Sequence, residues 1–287
     1  PIYYTRYIKE LVEEGKLPMK RIDELVRQVL YVKFWIGLFD QPYIGSGKDA
    51  HTIVSSALHQ ATALRASREC LVLLKNEKQM LPLADQYKRI AVIGPNANSK
   101  GYVPTHYGPR GFDNFISVYE GLKKVYEKDK NISITYSKGI DLVNKGWPEN
   151  ELIRDTLTTE EQKSIAEAVR ISQESDIIVA VLGDGSSTSG ESRTRSSLDL
   201  PGHQEELLQA LVKTGKPVVL VLIWGRPTSI NFGNKYCPAV LAAGYPGAQG
   251  GLAIAEALKG DYTPGGKLNG TWPKTVGQLP MNIPTKP

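Results

Sequence analysis

Ala180-Val-Leu-Gly-Asp-Gly-Ser-Ser-Thr-Ser-Gly-Glu-Ser-Arg-Thr-Arg-Ser-Ser-Leu-Asp-Leu-Pro-Gly-His-Gln204 is the stretch from which the rest of the chain can be read. It begins as the tail of an apolar strand and opens into a long Gly/Ser loop. In that loop one carboxylate, Glu191, is followed closely by Arg193 and Arg195. The loop closes at Pro201-Gly202, the punctuation of a turn ahead of a helix. Glu191 sits mid-loop, clear of any helix face on which it would be a merely solvated charge, and is the candidate catalytic carboxyl group.

The pattern of strand, loop and helix repeats on both sides of this stretch. Upstream, Arg89–Gly94 reads as a short buried strand ending in a Gly-Pro-Asn loop. A helix follows at about 115–127, a strand at Ile132–Tyr136, and a helix at about 159–174 with Thr158 as its cap and acids in its first turn. Asp176–Leu182 is the strand that feeds the loop. Downstream come a helix at about 202–213, strands at Pro217–Ile223 and Ala239–Ala243, a helix at about 250–258 and a short strand at Lys267–Thr271. Strands that are apolar throughout, rather than alternating, are buried on both faces, and their alternation with helices calls for a parallel sheet. The expected fold is α/β, a mostly parallel six-stranded sheet with helices on both faces.

Two helices precede this pattern, one at residues 6–14 closed by Gly15 and one at Met19–Phe39, where Ile22, Leu25, Val26, Val29 and Leu30 recur at helical spacing. Their apolar faces need something to pack on, and no strand precedes them. They are expected to be the last helices of a domain whose remainder lies outside this sequence, giving residues 1–40 as its tail, 41–60 as a linker rich in Pro and Gly with a helix beginning near 52, and 61–287 as the α/β domain.

Composition excludes some classes of function. The 287 residues are 41% hydrophobic and 23% charged, ordinary for a globular chain with a sizeable core. The longest apolar runs, such as Val218–Trp224, fall far short of the roughly 20 residues a membrane-spanning helix needs. The formal charge is +5, but the basic residues are dispersed among acids rather than gathered in a stripe, which argues against a nucleic-acid partner. Two cysteines and four scattered histidines lack the spacing of a metal site or a disulfide framework, so neither metal nor cofactor is expected.

In open parallel sheets, ligands meet the loops beyond the carboxyl ends of the strands. Here those loops are Gly94–Asn98, Gly183–Gly202, Trp224–Pro227 and Gly244–Gly251. Nucleotide chemistry fits them poorly, because Gly183-Asp-Gly185 meets Thr188 where the dinucleotide fingerprint needs Gly, and no phosphate loop is present. The loop serines lack the nucleophile-elbow pattern, and His203 has no evident third member of a triad. Carboxylate chemistry at Glu191 is the third reading, beside a solvated residue or a salt-bridge partner; the arginines lower a carboxyl pKa and burial raises it, so sequence leaves the direction open.

Several stretches resemble glycoside hydrolase family 3. Met19–Asp40 is similar to the end of that family's N-terminal barrel, Arg65–Leu83 to the lead-in of its second domain, and Ile90–Asn96 to its first strand and loop. Glu191–Gln204 follows the pattern of a Glu, an Arg, then Leu-x-Leu-Pro-Gly-x-Gln; Lys216–Pro227 and Ala243–Pro273 complete the likeness.

The resemblance implies a sandwich beside a barrel and a retaining, exo-acting β-glycosidase on β-glucosides or β-xylosides. In such enzymes one carboxylate attacks the anomeric carbon while a second, about 5–5.5 Å away, protonates the leaving oxygen. The family's sandwich loop supplies the acid/base in many members, which maps onto Glu191, and its barrel supplies an Asp nucleophile. Nothing in this sequence matches that Asp-bearing stretch, so the chain is expected to be the C-terminal part of such an enzyme and inactive by itself. Asp184 and Arg193 are expected either to reach sugar hydroxyls or to pair with each other. Trp147 is the expected stacking platform, Arg195 an anchor for the loop, and Trp224 a core residue. The implied partners are a β-linked oligosaccharide or aryl glycoside and the missing barrel. The alternative is a non-catalytic carbohydrate-binding or interaction domain. The residues leave the compartment open, with a periplasmic or secreted location expected for a full-length enzyme.

Overall fold

The helical periodicity at the start of the chain forms α1 (Ile2–Glu13) and α2 (Met19–Trp35), followed by α3 (Gly47–Val54). In this computed structural model the described residues are 2–43, 45, 47–54, 56–100 and 115–280. The chain divides into two units, Pro1–Ser56 and Ala57–Pro287. In the first, no residue of α1 or α2 is buried. Tyr4, Ile8, Val12, Met19 and Ile22 line an apolar groove of about 530 Å³. The second helix stops at Trp35 rather than Phe39. Gly37 adopts φ +71°, and the N–H of Leu38 bonds back to the carbonyl of Lys33, a glycine-terminated helix end. Gly47 and Lys48, expected in the linker, begin α3; Ile44 and Ser46 lie outside the described residues.

The second unit holds a six-stranded sheet of β1 (Val72–Asn76), β2 (Arg89–Ile93), β3 (Ser133–Ser137), β4 (Ile177–Gly183), β5 (Val218–Ile223) and β6 (Ala239–Gly244), in the order β1-β6-β5-β4-β2-β3. All neighbours are parallel except β1, which runs antiparallel to β6. The helices are α4 (Ala57–Cys70), α5 (Val118–Val125), α6 (Thr159–Gln173), α7 (Gln204–Val212), α8 (Asn231–Tyr236) and α9 (Gly250–Lys259).

Side chains alternate across each strand, so one apolar run feeds two cores. Ile177, Val179 and Val181 of β4 join Val118 and Leu122 of α5 and Ile254 and Leu258 of α9 on one face. Ile178, Ala180 and Leu182 join Ile165 of α6 and Leu207, Leu208 and Leu211 of α7 on the other. Both faces are covered, as the continuous apolar runs require.

Two elements differ from the sequence expectation. No strand forms at Lys267–Thr271. The sixth strand is β1, where the expected long helix divides into α3 and α4 and the chain then turns extended. The edge beside β6 is therefore occupied, and the later segment contributes instead a backbone bond from Gly266 N–H to Leu71 O, 2.9 Å. The short α8, between β5 and β6, was not expected either.

The strand order places the site. From β2 the chain moves outward to β3, then returns to the other side of β2 as β4, so the winding reverses between β2 and β4. The crevice outside the carboxyl ends of strands at such a reversal is the standard ligand position of an open α/β sheet. The loops after β2 and β4 both leave from it.

Candidate active site

The loop after β4 has a buried base, two pinned limbs and an exposed tip. At the base, Gly183 takes φ +124°, and a Cβ there would lie 1.9 Å from the carbonyl oxygen of Ile223, so only glycine lets β4 run this close to β5. Its backbone is clamped by the buried Gln204 at the start of α7. Gly183 N–H donates to Gln204 Oε1 at 2.8 Å, and Gln204 Nε2 donates to Gly183 O at 2.9 Å and Leu142 O at 3.0 Å. The Gln that ends the sequence motif thus ties the helix following the loop to the strand preceding it.

The next residue, Asp184, is 1% exposed. Its carboxylate accepts from Thr188 Oγ1 at 2.8 Å, from Gly225 N–H at 3.3 Å and from Arg195 Nη1 at 3.4 Å, and its carbonyl accepts from Asn96 Nδ2 at 3.0 Å. Expected to face sugar hydroxyls or to pair with Arg193, Asp184 instead points into the loop base and pairs with Arg195. A buried carboxylate needs such compensation, and the loop itself supplies two of the donors, Thr188 and Arg195.

The second limb is held by Glu151, from a 3₁₀ turn at Glu149–Glu151. Glu151 Oε1 accepts from Arg195 Nε, and Oε2 accepts from the N–H and Oγ of Ser196 at 2.7 and 2.8 Å. Burial pushes the Glu151 carboxyl up, but the bonds from Ser196 and Arg195 outweigh it and hold it below its ordinary value. Arg195 also donates to Asp199 O at 2.9 Å, and its guanidinium lies over the Trp147 ring, 5.1 Å from the centroid. Trp147 is half-buried, with Arg195 on one face of its ring. Arg195 is the anchor the sequence reading expected.

Between the limbs, residues 190–194 are exposed, and they carry Glu191, Ser192 at φ +60° and Arg193. The tip is drawn toward the loop after β5 by Arg226, whose Nη2 donates to Thr188 O at 3.1 Å and to Arg193 O at 2.8 Å. The loop after β6 adds Tyr245, whose hydroxyl donates to Gly185 O at 3.3 Å and whose pKa burial pushes up to about 12. Trp224 packs half-buried against the core, its ring edge-on to Trp272 at 4.9 Å.

Beneath the second limb, His203 is 3% exposed. Its Nδ1 lies 3.1 Å from Glu161 Oε1 and its Nε2 3.1 Å from Asp155 O. Glu161 also completes the capping box of α6 with Thr158, so the imidazole joins the loop exit to a helix N-terminus. Among the described residues no group of three or more His, Cys, Asp or Glu is placed to hold a metal ion. No described helix is long and apolar enough to cross a membrane.

The profile described as Glycosyl hydrolase family 3 C-terminal domain matches residues 71–286. The chain belongs to glycosyl hydrolase family 3. Curated relatives include a periplasmic β-glucosidase of Salmonella typhimurium, 35% identical over 97% of this chain and 37% of its own length. A β-xylosidase of Formosa agariphila is 35% identical over 99% of this chain and 38% of its own. Among solved structures, a β-glucosidase from Erythrobacter marinus superposes with a TM-score of 0.82 at 36% identity, covering 96% of this chain and 38% of that one. The Listeria innocua β-glucosidase in complex with glucose does so at 0.78 and 30%, covering 95% and 34%. The chain therefore spans little more than a third of the length of these family 3 relatives. Four residues that organise the loop were not singled out from sequence: Glu151, Arg226, Asn96 and Tyr245. Asn96, Arg226 and Tyr245 lay within stretches that resemble the family, whereas Glu151 comes from an irregular segment without periodicity.

Proposed function

We propose that this chain is the C-terminal part of a retaining, exo-acting β-glycosidase of the β-glucosidase or β-xylosidase type, and that Glu191 is its general acid and base. One observation carries the reading: an exposed carboxylate stands on a loop tip whose base and limbs are fixed by buried polar groups, at the reversal point of the sheet. The tip is open to a substrate, while the frame beneath it has little freedom. The β-glucosidase and β-xylosidase relatives support the substrate class.

The nucleophile, an Asp, is assigned to an N-terminal barrel domain. Its carboxylate attacks the anomeric carbon; the glycosidic C–O bond breaks, and the Glu191 proton passes to the leaving oxygen. Water then attacks the glycosyl-enzyme, giving its proton to Glu191 as the sugar–Asp bond breaks, which restores both carboxyl groups. Arg193, exposed beside Glu191, is positioned to meet a sugar hydroxyl, and Trp147 offers an apolar wall at the mouth of the loop. Asp184 contributes indirectly, by holding the loop base.

The test is substitution of Glu191 by Ala or Gln in the enzyme with its barrel, assayed on aryl β-glycosides of differing leaving-group acidity. A loss concentrated on poor leaving groups supports the acid role; equal losses make Glu191 a binding or loop-holding residue.

A further inference from the structure

We propose that Glu151 is a positioning residue for the Glu191 acid, acting through Arg195 and Ser196; this rests on the reading of Glu191 as acid and base. The Glu151 side chain is 8% exposed and its bonds all go to the loop, to Arg195 Nε and to the N–H and Oγ of Ser196. Arg195, itself 3% exposed at the side chain, carries this fixing across to the other limb by meeting Asp184 Oδ1 at 3.4 Å. One guanidinium held between two carboxylates therefore sets the distance between the limbs, and so the place where residues 190–194 stand.

These bonds lie beyond the carboxyl end of β4, and none of their residues belongs to either hydrophobic core. If Glu151 is lost, Arg195 keeps Asp184, and water reaches the exposed Ser196. The fold survives on its cores while the second limb loses its fixed height. A carboxyl group displaced by about 1 Å from its productive position costs on the order of 10²-fold in rate.

The experiment uses the full-length enzyme with its barrel, in Glu151→Ala, Glu151→Gln and Glu191→Gln forms. It measures kcat/KM, which reports the glycosylation step, on 2,4-dinitrophenyl and phenyl β-glycosides across pH. The expected result for Glu151→Ala is a loss of about 10²-fold on the phenyl substrate and less than about fivefold on the dinitrophenyl one. Glu151→Gln, nearly isosteric, shows the same split in weaker form and decides the matter if the Ala variant does not fold. A Glu151 residue that merely stabilises the fold would lower both substrates equally. That result, or no loss at all, alongside a Glu191→Gln enzyme that does show the split, overturns this proposal alone. A Glu191→Gln enzyme without the split overturns the acid assignment as well.

Discussion

His203 is the residue whose ionisation links the loop to the fold. Burial alone lowers its pKa, but the Glu161 carboxylate, the Asp155 carbonyl and the charge of Glu206 on α7 outweigh that and raise it above its ordinary value. A raised folded-state pKa means that the protonated form is favoured by folding. Its stabilisation is fully present below the unfolded value of about 6.5 and disappears as pH rises through the folded value. Glu161 has the opposite sign: burial raises its pKa, but the Thr158 and His203 bonds bring it below its ordinary value, so its contribution fades on acidification. The pair is therefore strongest at mildly acidic pH. We expect His203→Gln to cost about 1–2 kcal/mol more at pH 6 than at pH 8.5, measured by urea unfolding at both, since hydrogen bonds to charged groups are worth about 1.5–3 kcal/mol. An equal cost at the two pH values would mean that folding leaves the affinity of the imidazole for its proton unchanged.

At the scale of elements, α5 and α9 meet through glycine. A Cβ on Gly121 of α5 would lie 2.2 Å from the carbonyl oxygen of Gly251 of α9, and backbone cannot swing aside as a side chain does. Helix propensity favours Ala over Gly by about 1 kcal/mol. Gly121→Ala should nevertheless destabilise residues 57–287 by about 1–3 kcal/mol in urea unfolding, because the helices must separate. A gain in stability would show that the helix contact is looser than this.

The same scale separates what sequence reveals from what it does not. The inner parallel strands were legible because a strand covered on both faces must be apolar throughout, as Ile177–Leu182 and Val218–Ile223 are, while the edge strand β3 alternates as Ser-Ile-Thr-Tyr-Ser. The cap of α6 was legible because Thr158 and Glu161 have a local geometric role. β1 was not, since Leu71–Leu74 follows a helix with no Gly or Pro between them and its partner, β6, lies far along the chain. Glu191 stood out by its loop, whereas the roles of Asp184 and Glu151 depend on contacts across long separations. No local pattern encodes a bond between Glu151 and Ser196.

At the scale of the whole molecule, the proposed function leaves this chain with half of a catalytic site. Purified residues 1–287 should not turn over an aryl β-glucoside; turnover that Glu191→Gln abolishes would place a nucleophile within these residues and contradict the split of the carboxyl pair between two domains. The most direct test of the central claim compares Glu191→Ala with the unaltered enzyme, barrel included, on phenyl and 2,4-dinitrophenyl β-glycosides. General acid catalysis contributes about 10²–10⁴-fold, and only the poor leaving group needs it. The predicted result is a loss of that size in kcat/KM for the phenyl substrate with a far smaller one for the dinitrophenyl substrate. Equal losses on both would contradict it.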